Sequence, residues 1–289
     1  MAVTSFIPEI WNAQLLEDFR AQAVAAALTN REYEGNAASG NKVIINTAAA
    51  VAVKDYKTGV SGQGERTTAP DAVTTTSQEL LIDQEKSFDF YVDDIDRAQA
   101  AGTMDVFTRS AGEGLAQDAD QFILSTAVTG VGSGNILPGS VLESGDQAFD
   151  VVRDLRKVLT KAHVPTAQRV LIVNAEFEAL LLGSDSKLTA VDVSGSPDGL
   201  RNAMLGRLLG FDVYVSENLP TVDRPQALAF YRPALAYVSQ IERTEAMRAQ
   251  DKFADRLRGL HVYGCSVIRP EAVALFTAGE PESSGGQDA

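Results

Sequence analysis

A helical pattern of apolar and polar positions runs from Thr103 to Val128, near the middle of the chain. Side chains for one helical face recur at steps of three and four positions, namely Phe107, Ala111, Leu115, Ala119, Phe122, Ile123 and Thr126. The charged side chains take other positions, where we expect them to face solvent: Asp105, Arg109, Glu113, Asp118 and Asp120. Thr103 can cap the first turn. The pattern therefore predicts one long amphipathic helix of roughly 37 Å.

Residues 1–41 are predicted to form an N-terminal arm. Pro8 suits a helix start, and Trp11, Leu15 and Phe19 follow it at steps of four, which places them on one face of a helix. Such a helix can pack on its own core or against a neighbouring subunit. Both interpretations remain open from the sequence.

Residues 42–82 carry extended patterns on both sides of a Gly, Ser and Thr-rich tip at 59–68, which predicts a long β-hairpin. A strand from Val43 to Lys57 would extend roughly 50 Å, well beyond a typical strand. An isolated two-stranded ribbon is marginal in water, so we expect the hairpin to rest on another subunit. The alternative is two short strands joined by a flexible loop.

A half-buried strand is predicted from the alternation of Phe88, Phe90 and Val92 with polar positions. The acids that follow, Asp93, Asp94 and Asp96, suggest a metal loop. The Gly and Glu that a calcium loop of EF-hand type requires are absent from their places, so a solvated strand end is the preferred interpretation.

Alternating helices and strands predict an inserted α/β unit at residues 145–230. Its elements are a helix at 149–159, a strand at 170–174, a helix capped by Asn174, a helix with Met204, Leu205 and Leu208, and strands at 211–215 and 227–231. The preceding GVGSGN at 130–135 follows a helix rather than a strand. It is therefore a linker and not a dinucleotide-binding turn.

The closing segment returns to extended structure, with an amphipathic stretch at 241–248 and an alternating strand that Pro270 ends. The tail at 278–289 has almost no apolar content and is predicted to be disordered. Residues 240–270 hold six bases against four acids, whereas 79–105 hold eight acids against two bases. Opposite patches of this kind favour contact with a copy of the same protein, or with each other.

Composition narrows the possible functions. A chain of 289 residues is long enough to bury a large core. Its net charge of -14 argues against a protein that binds nucleic acid over its whole surface. The start of the chain lacks a signal-peptide pattern, no run is apolar enough to span a membrane, and one cysteine favours a reducing compartment.

Catalytic chemistry has few candidate groups. The only histidines are His163, in a predicted loop, and His261, on an alternating strand where a structural role is favoured. With Cys265 as the only thiol, their spacing does not match a zinc site, and no nucleophile elbow or P-loop is present. We therefore predict no catalytic, cofactor or metal site.

The order of these parts resembles the major capsid protein of tailed bacteriophages, which has the Hong Kong 97-like fold of the α+β class. Particular strings are similar to the coat proteins of short-tailed Salmonella phages: FIPEIWNAQLL at 6–16, NREYEG at 30–35, LLIDQEKSFDFYVDDID at 80–96, GFDVYVSENLP at 210–220 and RGLHVYGCSVIRPEAVA at 258–274. The resemblance covers nearly the whole chain, except that no β-rich insertion is evident in the α/β unit.

This resemblance implies a division of the subunit. Residues 103–128 would be the spine helix of a peripheral domain made of 83–144 and 231–277, and residues 42–82 would be an extended loop lying over a neighbour. Residues 145–230 would be the axial domain. The strand at Arg258–Arg269 would then pair with Phe88–Val92.

The implied function is a structural coat protein that self-assembles, through pentamers and hexamers, into the icosahedral virion shell around double-stranded DNA. Scaffolding and portal proteins would be partners, assembly would take place in the host cytoplasm, and no membrane, cofactor or enzymatic activity is expected. An encapsulin-like shell around protein cargo is the alternative, and an α/β enzyme is a more distant one. Candidate contacts between subunits are Trp11, Leu15, Phe19, Lys54, Tyr56, Lys57, Arg66, Asp93, Asp94, Arg248, Lys252 and Arg256.

Some relatives in this family join an extended-loop lysine to a neighbour's asparagine by an isopeptide bond. Lys54 and Lys57 have suitable positions, but residues 235–276 contain no asparagine. We therefore predict non-covalent assembly.

Overall fold

Three antiparallel or mixed sheets and four α-helices make up the part of the chain that the structure, a computed structural model, describes. The described residues are 23–34, 40–48, 51–56, 71–94, 105–183, 185, 206–221, 223–249 and 251–279. None of the helices in these ranges is long and apolar enough to cross a membrane.

The predicted hairpin pairs as expected but is shorter. Strands β1 (Lys42–Ala48) and β2 (Thr75–Leu81) are antiparallel, with Lys42 opposite Leu81 and Ala48 opposite Thr75. Residues 51–56 are not in a strand, so the continuous strand predicted from Val43 to Lys57 is wrong. The strands pair where the base of the ribbon packs on the rest of the subunit. Beyond that base, Val51 and Val53 are exposed, and a two-stranded ribbon without such packing is only marginally stable in water.

A three-stranded sheet contains the implied pairing of the acidic strand with the closing strand. Its order is β3 (Gln84–Asp93), β9 (Ala254–Val267) and β8 (Leu235–Arg248), all antiparallel. Phe88 lies opposite Gly259 and Val92 opposite Asp255, which confirms that these two strands pair. The strand begins at Ala254, four residues before the expected Arg258, so Phe90–Val92 lie opposite residues 255–257.

The long helix is confirmed. Helix α2 runs over Asp105–Thr129, within two residues of the predicted bounds. Thr103, its predicted cap, lies outside the described residues. Its second half buries Ala119, Ile123, Leu124 and Ala127 against the core. The short helix α1 (Ala25–Leu28), within the predicted N-terminal arm, contacts α2.

A five-stranded sheet forms the second layer, in the order β10 (Val273–Thr277), β7 (Gln226–Tyr231), β4 (Arg169–Val173), β6 (Phe211–Val215) and β5 (Arg207–Leu208). Every residue of β4 is buried, as expected for a central strand. Helices α3 (Gly145–Lys161) and α4 (Ala175–Leu181) contact each other, and both contact β7.

Two details differ from the sequence interpretation of this layer. Leu208 was expected in a helix but lies in β5, because Leu209 and Gly210 have φ of 48° and 84° and reverse the chain into a tight hairpin with β6. Strand β10 pairs with β7, although it was expected in the other domain. The ring of Phe276 on β10 lies 6.3 Å from that of Phe177 on α4, and Val273, Ala274 and Leu275 are buried in the same core.

Candidate assembly surface and the junctions that support it

The outer part of the hairpin carries exposed apolar side chains. Val51 is 74% exposed and Val53 is fully exposed, and Tyr56 and Val73 are also largely uncovered. Lys54 Nζ lies 2.5 Å from Asp71 Oδ1, so an ion pair links the two sides of the hairpin beyond the paired strands. These four exposed side chains, Val51, Val53, Tyr56 and Val73, are called the hairpin patch below.

The base of the hairpin is anchored. Four of its side chains pack into a small core with residues of β8 and β9 and the turn that follows: Val43, Ile45, Leu80 and Ile82 contact Ala236, Val238, Val262 and Ile268. Gly264 on β9 leaves room for the backbone at Leu81, because any β-carbon there would overlap the Leu81 carbonyl oxygen. The hairpin patch is therefore held out from a fixed base.

The outer face of the three-stranded sheet is a network of charges. Arg256 Nε donates to Asp89 Oδ1 at 2.8 Å, and Arg258 Nη2 donates to Glu245 Oε2 at 2.6 Å. The hydrogen bond from Arg256 lowers the pKa of Asp89, and the hydrogen bond from Arg258 lowers the pKa of Glu245. These pairs lie across the strands and strengthen the sheet.

The end of the same sheet where β8 turns into β9, called the tip below, carries four of the charged residues that were predicted as contacts: Asp94, Arg248, Lys252 and Arg256. Arg248 Nη1 donates to Asp94 Oδ1 at 2.8 Å and to Asp255 Oδ1 at 3.1 Å, and these bonds raise the pKa of Arg248. The Lys252 and Arg256 cations lie 5.5 and 5.6 Å from the centre of the Tyr91 ring. The acidic and basic segments of the sequence thus meet each other within one subunit.

The predicted contact residues therefore divide into four groups. Tyr56 belongs to the hairpin patch, and Lys54 lies beside it. Asp93 ends β3 opposite Ala254. Asp94, Arg248, Lys252 and Arg256 are brought together at the tip of the three-stranded sheet. The others lie outside the described residues: Trp11, Leu15, Phe19, Lys57 and Arg66.

Sequence reasoning missed an exposed aromatic residue at this tip. Phe253, in the turn between β8 and β9, is 82% exposed, and its carbonyl oxygen accepts a 3.0 Å hydrogen bond from Asp94 N. Its only signal in the sequence was an aromatic residue among charged ones, because apolar residues do not recur at a helical or strand period over this turn.

Asp118 and Asp120 on α2 were predicted to be solvated, and for Asp120 this is wrong. Asp120 is 0% exposed and accepts hydrogen bonds from Val24 N, Ala25 N and Asn218 Nδ2. The helical period predicted the wrong environment for Asp120, because other elements of the fold also pack against its side of α2.

Asp118 is half-buried and links α2 to the three-stranded sheet. Its Oδ2 accepts a 2.6 Å hydrogen bond from the hydroxyl of Tyr263, and its Oδ1 lies 3.3 Å from Lys86 Nζ. Burial, followed by the hydrogen bond to Asp118, raises the pKa of Tyr263. Phe122 packs edge-on against the Tyr263 ring, with 5.6 Å between ring centres.

Of the residues with potential reactivity, His261 and Cys265 lie in the core, whereas His163 is exposed in the turn after α3. His261 is buried, with Nε2 3.1 Å from Ser239 Oγ and 3.4 Å from the hydroxyl of Tyr237. Burial raises the pKa of the Cys265 thiol to about 12. Across the described part of the chain, no three His, Cys, Asp or Glu side chains come together as a metal site.

Comparison with known proteins places the chain in a family. The family described as phage capsid protein matches residues 75–276, which is more than half of the chain. A solved structure titled Mycobacterium phage Che8 is 49% identical, with a TM-score of 0.84, and the match covers 95% of this chain and 98% of that one. No curated protein matches.

More distant structures share the fold. The capsid of cyanophage P-SCSP1u has 14% identity and a TM-score of 0.76, over 96% of this chain and 94% of that one. A virus-like particle from Pyrococcus furiosus has 16% identity and a TM-score of 0.52, over 82% and 86%. The relative at 49% identity comes from a Mycobacterium phage, so these comparisons do not support the predicted Salmonella-phage subfamily. The chain belongs to the phage capsid protein family: it is the major capsid protein of a tailed phage, a non-enzymatic virion protein with the Hong Kong 97-like fold that forms the icosahedral shell.

Proposed function

We propose that each subunit lays its hairpin on a neighbouring subunit, and that this contact holds pentamers and hexamers together. The observation that carries the proposal is the hairpin patch, which is apolar, exposed and displayed from an anchored base. Fully burying a Val side chain is worth about 1.5–3 kcal/mol. Covering the patch would therefore contribute to each contact, and a closed shell multiplies such contacts.

The N-terminal arm would make a second contact through Trp11, Leu15 and Phe19. Lys57 and Arg66 belong to the predicted hairpin and remain candidates for the hairpin contact. At the tip of the three-stranded sheet, we add Phe253 to the candidates, because an exposed aromatic side chain is favourable to bury. Arg248 and Arg256 already have partners in their own subunit, so we assign them first to support of that tip.

We also propose the division into a peripheral domain, residues 83–144 and 231–277, and an axial domain, residues 145–230. The three-stranded sheet with α2 supports the first, and the α/β layer supports the second. Because β10 pairs with β7, residues 273–277 would serve the axial layer. The axial domain would meet its copies around the fivefold and sixfold axes.

Double-stranded DNA is the proposed content of the shell, as a neighbour without specific binding. The net charge of -14 supports an inner wall that does not hold packaged DNA along its length. Scaffolding and portal proteins are proposed as partners in the host cytoplasm, on the family resemblance alone.

Two further assignments concern the subfamily and the contents of the shell. We place the chain beside the protein from Mycobacterium phage Che8, to which it is 49% identical, rather than in the Salmonella-phage subfamily that the sequence strings suggested. The contents of purified particles, double-stranded DNA or protein, test the proposal that the shell encloses DNA.

Val53→Asp tests the proposed function, with Val53→Ile as the matched control. The aspartate would place a charge inside the proposed contact, whereas isoleucine keeps the site apolar. Negative-stain electron microscopy should show shells for the wild type and Val53→Ile, and few or none for Val53→Asp, with circular dichroism showing folded subunits in all three. Normal Val53→Asp shells would exclude the hairpin patch as a principal contact.

A further inference from the structure

Three elements that are distant in sequence meet at one buried carboxylate. Asp120 lies on α2 and is 0% exposed. Against it lie the chain at Val24 and Ala25, which begins α1, and Asn218, in the turn after β6. The N-terminal arm, the long helix and the α/β layer are therefore joined at a single side chain.

The hydrogen bonds divide between the two carboxylate oxygens. Oδ1 accepts from Val24 N at 2.7 Å and from Ala25 N at 2.5 Å, and Oδ2 accepts from Asn218 Nδ2 at 2.8 Å. The first N–H groups of a helix have no partner within it, and Val24 cannot supply a side-chain acceptor. Asp120 supplies that acceptor from another element.

Asn218 is itself oriented for this contact. It is buried, its backbone N donates to Ser216 Oγ at 3.3 Å, and Gln121 Nε2 lies 3.5 Å from its Oδ1. With Oδ1 facing a donor, the amide nitrogen is directed at Asp120. Gln121 and Asp120 are neighbours on α2, so one turn of that helix holds the Asn218 side chain on both sides.

The chain after α1 is fastened independently. Asn30 N donates to the carbonyl oxygen of Leu235 at 2.8 Å, and Tyr237 N donates to that of Asn30 at 3.0 Å. Ala25 and Leu28 are buried between these two attachments. Loss of the Asp120 bonds would therefore free the start of α1 while Asn30 stays attached to β8.

We propose that Asp120 is the positioning residue that fixes where, and in which direction, the N-terminal arm leaves the body of the subunit. Two successive N–H groups on one oxygen define a direction as well as a position. Residues 1–22 of the arm precede this point in the chain, so a change in its position or direction is passed to that part of the arm. The inference rests on the proposed function in one respect, namely that the arm contacts a neighbour.

Asp120→Ala removes all three hydrogen bonds, and Asp120→Asn keeps the size and one acceptor oxygen. The double variant Asp120→Asn with Asn218→Asp restores the pattern in exchanged form. The new amide oxygen can accept from Val24 N and Ala25 N, and its nitrogen can donate to the new carboxylate at 218. Ile172→Val, in buried β4, is the control, because it lowers overall stability away from this junction.

Hydrogen exchange of the full-length subunit, followed by mass spectrometry, compares residues 24–28 with β4. In Asp120→Ala we expect exchange at 24–28 to rise about tenfold or more relative to β4, because hydrogen bonds to a charged group are lost. Asp120→Asn should give a smaller rise, and the double variant should return to within about threefold of the wild type. In Ile172→Val both regions should change together.

Particle yield is measured on the same proteins. We expect fewer particles from the variants in which residues 24–28 exchange faster, and a recovery of the yield in the double variant. If exchange at 24–28 follows β4 in the Asp120 variants, the inference is overturned. If that segment is released and particles still form normally, the proposed arm contact is overturned instead. Should Asp120→Ala not fold, Asp120→Asn and the double variant decide it alone.

Discussion

The backbone carbonyl of Leu81 occupies the space that a side chain on Gly264 would fill. This close approach fixes the base of the hairpin on β9, beside the small core that holds Leu80 and Ile82. The position of the hairpin patch therefore depends on the absence of one β-carbon in another strand.

Gly264→Ala should displace or strain the base of the hairpin and lower the free energy of unfolding by about 1–3 kcal/mol. The added carbon meets the backbone of Leu81, which cannot rotate away as a side chain can. Urea denaturation of the unassembled subunit measures the change. Gly112→Ala is the matched control: Gly112 lies in α2 with no atom within 4 Å of its added carbon, so about 0.5–1 kcal/mol of stabilisation is expected. Equal stability of Gly264→Ala and wild type would show that the hairpin base is not held there.

Deletion of residues 59–68 should abolish shells and leave a folded subunit, because these residues are predicted to form the tip of the hairpin that we propose lies on a neighbour. Sedimentation velocity separates particles from subunits, and circular dichroism checks the fold. Shells of normal size from the deleted chain would contradict a role for the hairpin in assembly.

The Asp89–Arg256 pair predicts a specific pH dependence. Arg256 lowers the pKa of Asp89 in the folded state, so the pair contributes stability fully above the unfolded pKa of about 4 and loses it as pH falls through the lower folded value. Asp89→Asn should therefore lose less stability than wild type on acidification below about pH 4. Denaturation curves at pH 6 and pH 3 measure this, with Glu113→Gln as a control for net charge.

Mature particles should run as a single monomer band on a denaturing gel. Lys54 pairs with Asp71 in its own subunit, and the segment 235–276 has no asparagine to accept an isopeptide bond. A ladder of covalent oligomers would contradict this prediction, and its disappearance in Lys54→Ala would identify the lysine.

Much of the fold follows from patterns that are local. The period of α2, the Asn174 cap of α4 and the alternation of β3 are set by residues within a few positions of each other, so their elements were predicted from sequence. The pairing of β3 with β9 came from the family resemblance, because no local signal specifies which strands meet.

The sequence by itself determined the type and order of these elements, the excess of acid over base, and the apolar content of the hairpin. Tertiary structure alone decided that Asp120 is buried, that β10 joins β7, and that Arg256 meets Asp89 within one subunit. The reason is physical. A helical or strand period records which side of an element is apolar, whereas the burial of a polar side chain depends on donors from segments nearly a hundred residues away, as Val24 and Asn218 show for Asp120.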